Sequence, residues 1–110
     1  MTKKLTKRDI QKFRKTIGTA WSVSDTNDAL ERTFTFDNFM EAFMFVTRVG
    51  VHAEVMHLYP LIEIDQEIVT LSIGDGAGTT LTVTDFELAE KIDIVYALST
   101  NAGKRHRART

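Results

Sequence analysis

The chain has 110 residues, of which 43% are hydrophobic and 26% are charged. These fractions are ordinary for a globular domain and exclude a disordered, collagenous or membrane-embedded chain, and the length allows one domain with a modest core. The absence of cysteine excludes disulfides, thiol catalysis and thiolate metal sites. With three histidines and no apolar stretch of a signal peptide at the start, we expect a cytoplasmic protein without a metal site.

The net charge of −1 conceals an uneven distribution along the chain. Residues 1–15 carry a net charge of +6 and residues 104–110 one of +4, whereas residues 16–103 carry −11. The basic ends lack the interleaved aromatic side chains of nucleic-acid-binding segments, so we expect neither a nucleic acid nor a membrane as partner. Residues 101–110 contain no apolar side chain larger than Ala, which predicts a basic disordered tail after a single domain over 1–100.

The first part of the chain predicts a surface helix followed by a hairpin. Thr6 and Asp9 have the spacing of a capping box at the start of a helix over 7–15. Two strand-like runs follow, over 20–24 and 29–36, and the four polar residues between them are typical of a hairpin turn. In the second run, alternate side chains from Leu30 to Phe36 would share one face.

The strongest helical pattern begins after Asp37, the expected cap, and ends before Pro60. Met40, Met44 and Phe45 extend its apolar surface beyond one face. This surplus predicts that the helix also meets a second copy of the chain, in a homodimer or larger assembly. The residues expected to face the core, which recur at spacings of three and four, are Phe39, Ala42, Phe43, Val46, Val49 and Ala53.

The remaining elements complete an α+β pattern. Strands are predicted over 61–64 and 67–73, and a last helix begins near Thr82 and Asp85, which again have capping-box spacing. The order helix, two strands, long helix, two strands, helix predicts a four-stranded antiparallel sheet with three helices on one face. The apolar face of the last helix is expected to comprise Phe86, Leu88, Ala89, Ile92, Val95 and Tyr96.

Two features invite a chemical interpretation. The glycine-rich loop over 74–78 precedes a helix, as phosphate-binding loops do, but it lacks their glycine spacing and their Lys, so a flexible turn is the preferred interpretation. Glu54 and His57, three residues apart, would share a helix face and could perform acid/base work or supply two metal ligands. The structural alternative is a solvated or capping pair at the helix end, beside a packed Tyr59.

A set of spaced positions carries a family resemblance from about residue 5 to 97. These positions are Trp21, Leu30, Arg32, residues 34–39, Ala42, Phe45, Val49, Ala53 and Glu54, continued by 69–72 and 81–89. Together they resemble the core signature of pterin-4a-carbinolamine dehydratases. The resemblance implies the fold predicted above, assembled as dimers or tetramers.

The chain departs from this family where the family has its active site. The resemblance implies an acidic residue followed, after three residues, by His-His-Pro, and a later Thr-His pair. Glu54 and Pro60 are present, but Leu58 and Tyr59 occupy the two histidine positions and Gly74 occupies the later one. We therefore assign no catalytic residue, cofactor or metal ligand. The vestigial pocket implied by the resemblance comprises Glu54, His57, Leu58, Tyr59, Pro60 and Gly74.

A family scaffold without its acid/base groups indicates a binding protein. One branch of the family, the pterin dehydratase-like Rubisco assembly factors of α-carboxysomes, resembles the dehydratases and lacks their catalytic residues. This resemblance implies a non-catalytic assembly factor that acts on the Rubisco large subunit, in the cytoplasm in association with carboxysomes. Two alternatives stay open: a 4a-hydroxytetrahydrobiopterin dehydratase with a rearranged site using Glu54, His57 and Tyr59, and a dimerisation partner of a transcription regulator.

Overall fold

Three helices and four strands follow one another in the order that the sequence predicts. The computed structural model describes residues 5–17, 20–74 and 76–109, with side chains up to residue 99. The elements are α1 (Lys7–Thr16), β1 (Ser22–Val23), β2 (Leu30–Thr35), α2 (Phe39–Met56), β3 (Leu61–Asp65), β4 (Ile68–Ile73) and α3 (Val83–Arg109).

The four strands form one antiparallel sheet in the order β1-β2-β4-β3. Leu30 pairs with Ile73 and Phe34 with Val69, so the apolar residues of the two central strands lie on the same face. That face is buried under the helices, whereas polar side chains such as Glu31 occupy the opposite, exposed face. The alternation of burial along β2 and β4 confirms the α+β fold with helices on one face of the sheet.

Aromatic side chains from the strands and from α2 form the centre of the core. The Phe34 ring lies 4.9 Å from the Phe45 ring and 6.0 Å from the Trp21 ring, centre to centre. Phe45 also lies 4.9 Å from Phe36. Trp21, Phe34 and Phe45 are at most 1% exposed. Because each ring buries a large apolar area, this cluster fixes α2 against the sheet.

One polar contact at the edge of this core joins three segments that are distant in sequence. The Asp93 Oδ1 atom in α3 accepts hydrogen bonds from Trp21 Nε1, at 2.8 Å, and from the Arg32 guanidinium in β2, at 2.7 Å. The guanidinium also lies over the Phe34 ring, 4.5 Å from its centre. Partial burial raises the pKa of Asp93, and the two donors oppose that shift. The contact satisfies the indole N–H of Trp21 and pairs the Arg32 guanidinium with a carboxylate.

Helix α2 differs from the sequence prediction in its start and in the face that it buries. Asn38, rather than Asp37, caps the helix, and its side-chain oxygen accepts from the Glu41 N–H at 2.9 Å. Phe45 is fully buried, whereas Phe39 and Phe43, predicted to face the core, are 53% and 49% exposed. The residues of α2 that are buried are Ala42, Phe45, Val49 and Ala53.

Both terminal helices begin at the predicted caps. Thr6 and Asp9 form a complete capping box on α1, and the Asp85 carboxylate accepts from the Thr82 N–H at 2.8 Å at the start of α3. The backbone of α3 is helical as far as Arg109. A disordered tail was predicted over residues 101–110, but the Ala, Lys and Arg residues of this segment favour helix. Within the part of the chain that the structure describes, no helix is long and apolar enough to cross a membrane.

Truncation after Thr100 tests whether the end of α3 contributes to the fold. We expect the truncated chain to unfold at the same temperature as the full chain, because every buried side chain of the described core lies before that point. Thermal unfolding followed by circular dichroism measures this. A truncated chain that fails to fold would show that residues 101–110 belong to the domain.

Candidate functional site

The end of α2 is shaped by a left-handed residue. His57 has φ 53° and ψ 41°, and its N–H donates to the carbonyls of the preceding helical turn. The Leu58 N–H donates to the Ala53 carbonyl at 3.0 Å, which closes the helix end. As a result, His57 leaves the helical path and does not share a helix face with Glu54, contrary to the sequence prediction.

The loop after β4 passes close to the turn between β1 and β2. Gly74 has φ +100°, and a Cβ atom at this position would lie 2.4 Å from the Asp28 carbonyl oxygen. Both the backbone conformation and the close approach therefore require glycine here. Further along the loop, the Leu81 N–H donates to the Asn27 carbonyl at 2.9 Å. The loop is thus attached to the turn at several points.

Asp28 provides the main attachment, although it lies about 50 residues away from the loop in sequence. Its Oδ1 atom accepts from the hydroxyls of Ser24, at 2.6 Å, and Thr26, at 2.7 Å, while Oδ2 accepts from the Gly78 N–H at 2.8 Å. Its backbone carbonyl accepts from the Gly76 N–H. Asp28 is 3% exposed. Its position explains why the glycine-rich loop, expected from the sequence to be a flexible turn, has defined contacts.

The end of α2, the loop after β4 and the start of α3 line a cavity of about 300 Å³. The polar residues of its lining include four threonines, one histidine and one aspartate. Its lining residues are Met56, His57, Leu58, Gly74, Thr79, Thr80, Thr82, Thr84 and Asp85.

The structure brings together only half of the vestigial pocket predicted from the sequence. His57, Leu58 and Gly74 line the cavity. Glu54 and Tyr59 instead contact each other on the outer surface, where the Tyr59 side chain is 64% exposed. A hydrogen bond to the Glu54 carboxylate raises the pKa of the Tyr59 phenol, since ionisation would remove the bond and place two negative charges side by side.

Sequence reasoning missed the threonine-rich part of the lining. Thr79 and Thr80 were not predicted as site residues, and Thr84 entered only through the family resemblance over 81–89, because no motif assigns chemistry to isolated threonines. The four threonines between positions 79 and 84 were the available signal. Asp85 was recognised only as a cap, which agrees with its hydrogen bonds to the N–H and hydroxyl of Thr82.

The described lining of the cavity offers few groups for proton transfer. Threonine hydroxyls donate and accept hydrogen bonds but do not ionise near neutral pH. The Asp85 carboxylate already accepts two hydrogen bonds at the helix start, and His57 supplies the one imidazole of the described lining. Among the described residues, no three His, Asp or Glu side chains converge to hold a metal ion.

We expect Asp28→Asn to loosen the loop and to lower the stability of the fold above pH 4. Hydrogen bonds, chiefly from Ser24, lower the pKa of Asp28 below its ordinary 3.8. The ionised carboxylate therefore stabilises the folded state above about pH 3.8, and this contribution is lost as the pH falls through the lower folded-state pKa. Urea unfolding at pH 7 should give a lower midpoint for the variant, and the difference from wild type should shrink towards pH 3.

The exposed neighbour Asp25 provides the matched control for this experiment. Asp25→Asn removes the same charge from the same turn and should leave the urea midpoint unchanged at both pH values. Hydrogen exchange of the Gly78 amide should accelerate in Asp28→Asn alone. Equal effects of both substitutions would show that the charge of the turn matters, rather than the hydrogen bond between the Asp28 carboxylate and the loop.

Comparison with known sequences gives matches over most of the chain. The sequence profile of the pterin 4 alpha carbinolamine dehydratase family matches residues 3–95. A protein of Bradyrhizobium sp. strain BTAi1 named "putative pterin-4-alpha-carbinolamine dehydratase" is 40% identical, over 70% of this chain and 78% of that protein. A protein of the same name from Burkholderia multivorans is 42% identical, over 70% of this chain and 76% of its own.

Two solved structures share the fold at low sequence identity. A transcriptional coactivator/pterin dehydratase from Brucella melitensis superposes with a TM-score of 0.77 at 21% identity, covering 86% of this chain and 99% of its own. A pterin dehydratase-like protein described as a RuBisCO assembly factor in the alpha-carboxysome superposes with a TM-score of 0.60 at 14% identity, covering 72% of this chain and 95% of its own. At these identities the likeness concerns the fold.

Proposed function

Because the chain belongs to the pterin-4a-carbinolamine dehydratase family, we propose that it uses the family fold as a non-catalytic Rubisco assembly factor. The observation that carries this proposal is the make-up of the cavity. Where the family resemblance implies histidines, Leu58 and Gly74 line the cavity and Tyr59 lies outside it. The family fold is retained while the groups for its chemistry are replaced.

Dehydration of a carbinolamine needs groups that this cavity does not offer. One group must deliver a proton to the leaving hydroxyl, and another must remove a proton from nitrogen; imidazoles suit both tasks because their pKa lies near neutrality. The described lining contains a single imidazole, on His57, and a carboxylate on Asp85 that caps a helix. Glu54 and Tyr59, the other members of a rearranged site, are not among the residues that line this cavity, and they contact each other.

The surroundings of Gly74 explain why this position, a histidine in the site that the family resemblance implies, holds glycine in this chain. A side chain at this position would collide with the Asp28 backbone, so the loop itself is built for glycine. The cavity therefore differs from the implied family site in its backbone as well as in its side chains. This difference supports a change of role rather than the simple loss of one group.

The assembly role draws its support from the structural neighbour described as a Rubisco assembly factor. By analogy with it, the proposed partner is the Rubisco large subunit and the proposed location is the cytoplasm, in association with carboxysomes. The named dehydratases of Bradyrhizobium and Burkholderia favour the second candidate, a 4a-hydroxytetrahydrobiopterin dehydratase that works without the implied histidines.

Co-expression with Rubisco subunits, together with a dehydratase assay, separates the two functions. We expect the chain to raise the yield of assembled Rubisco and to show no useful turnover of the carbinolamine, since each lost acid/base group is worth about 10²–10⁴-fold in rate. His57→Ala and Glu54→Ala should leave the Rubisco yield unchanged. Robust turnover that either substitution abolishes would establish the enzyme instead, and no effect in either assay would refute the assembly role.

The proposed homodimer would use the outer stripe of α2, formed by Met40, Phe43, Met44, Val51 and Val55. These side chains are between 47% and 74% exposed, on the side of the helix opposite its buried face. Large residues occupy the first half of the stripe and smaller ones the second, so two antiparallel copies would pack large against small about a twofold axis. An apolar surface of this extent is rarely left bare on a monomer.

Light scattering should therefore give a mass of at least twice the 12.5 kDa of one chain. Val51→Glu, in the second half of the stripe, should reduce that mass to a monomer's, because a buried carboxylate without a partner is strongly disfavoured. Ile94→Glu on α3 is the matched control, since both side chains are 60% exposed. A monomeric wild type, or dissociation by the control alone, would contradict this assignment of the interface.

A further inference from the structure

Helix α1 presents an exposed basic face. Its five cationic residues are all exposed and lie on one side of the helix, namely Lys7, Arg8, Lys12, Arg14 and Lys15. Among the described residues, none of the five lies within 4.0 Å of a carboxylate. Asp9, the one acidic residue of the helix, accepts the Thr6 N–H in the capping box.

The helix itself does not explain this arrangement. Arg14 and Lys15 in the last turn complement the helix dipole, but Lys7 and Arg8 lie in the first turn, where positive charge opposes it. Solubility does not explain it either, because the body of the chain over 16–103 carries a net charge of −11 and a basic helix opposes that sign. Lys7 and Arg8 therefore oppose the helix dipole without an ion-pair partner among the described residues, a cost that an external partner would offset.

The other side of α1 limits the kind of partner. Ile10 and Ile17 are buried, and the Phe13 ring stacks on Phe86 of α3, 5.5 Å from centre to centre. Because this apolar side is committed to the core, α1 cannot insert it into a lipid surface. The exposed side lacks the aromatic residues that single-stranded nucleic-acid-binding surfaces use for stacking on bases.

We propose that the outer face of α1 binds an acidic helical segment of a protein partner. Arg8, Lys12 and Lys15 follow one another at spacings of four and three residues, which places neighbouring charges roughly 5–6 Å apart along the helix. Carboxylates at the same spacings on a partner helix would face them one to one. The proposal does not depend on the assembly role, since it identifies the partner's chemistry and not its name.

Fluorescence anisotropy with a labelled acidic helical peptide tests this interface. The peptide would carry Glu at spacings of three and four, and we expect binding that weakens at least tenfold between about 50 and 300 mM salt, as screening shortens the Debye length. Arg8→Glu with Lys12→Glu should weaken binding at least tenfold at low salt, while circular dichroism confirms the fold.

A matched control variant separates the helix face from net charge. Arg48→Glu with Lys91→Glu changes the charge by the same amount on two other helices and should keep the binding of wild type. Equal losses in both variants, no binding by the wild type, or retention of binding by the α1 variant would each overturn the proposal. Tighter binding of an oligothymidylate or of phosphatidylserine vesicles than of the peptide would overturn it in favour of a nucleic acid or a membrane surface.

Discussion

Gly74→Ala is expected to destabilise the fold by more than about 3 kcal/mol, because it combines backbone strain with a collision. At φ +100° a residue with a side chain is already strained, and the new Cβ would lie 2.4 Å from the Asp28 carbonyl oxygen. That oxygen belongs to backbone held by Ser24 on one side and by the loop on the other. Relief would require the turn and the loop to separate.

Gly78 offers a control at the same φ of +100° in the same loop, because a Cβ atom added there would have no atom within 4 Å of it. Gly78→Ala should lower the free energy of unfolding only by the contribution of backbone strain, about 1–3 kcal/mol. Urea unfolding followed by the fluorescence of the single tryptophan, Trp21, measures both. Similar losses in the two variants would show that the close approach at Gly74 is unimportant.

The same geometry predicts the failure of an attempt to restore the implied family histidine. Gly74→His should destabilise the fold at least as much as Gly74→Ala, and it should not produce dehydratase turnover. A stable and active Gly74→His variant would show that the loop tolerates a side chain and that the cavity retains the chemistry of the family.

The order of elements could be predicted from the sequence because hydrophobic periodicity and caps are local signals. Alternation predicted the buried face of β2, from Leu30 to Phe36, and the pairs Thr6 with Asp9 and Thr82 with Asp85 marked the starts of two helices. Each of these signals lies within a few residues of what it specifies.

The candidate site depends on contacts that no local pattern contains. Asp28 and Gly78 are 50 residues apart in the chain, so the sequence around either residue does not indicate the hydrogen bond between them. At the end of α2, Glu54 and His57 are separated because His57 itself has a left-handed conformation. The sequence prediction continued the helical spacing one residue past the end of the helix and therefore placed the two side chains on one face. The sequence could identify replaced family positions but not which of them still line a cavity.

The orientation of α2 was ambiguous for a different reason. This helix is apolar on two sides, because Phe43 and Met44 on the outer stripe are as hydrophobic as Phe45 and Val49 on the buried face. The apolar residues of such a helix have no strong preferred direction, and the periodic pattern fits more than one rotation of the helix. Packing against Phe34 and Phe36 selects Phe45 as the core residue.

Replacing these two phenylalanines of α2, Phe43 and Phe45, one at a time tests which face of the helix is buried. Phe45→Ala should cost about 3–5 kcal/mol of stability, because it leaves a cavity beside Phe34 and Phe36 that the sheet cannot close. Phe43 is 49% exposed, and its loss should change the stability of a single chain by about 0.5 kcal/mol or less.

Protein concentration separates the two effects in solution. The loss in Phe45→Ala should be the same at every concentration, since it arises within one chain. Any loss in Phe43→Ala should depend on concentration, because Phe43 would stabilise the fold only through the pairing of two outer stripes. Urea unfolding of both variants over a hundredfold range of concentration measures this difference. A concentration-independent loss in Phe43→Ala that exceeds the loss in Phe45→Ala would mean that α2 buries the face predicted from the sequence, and both the described core and the proposed interface would then be wrong.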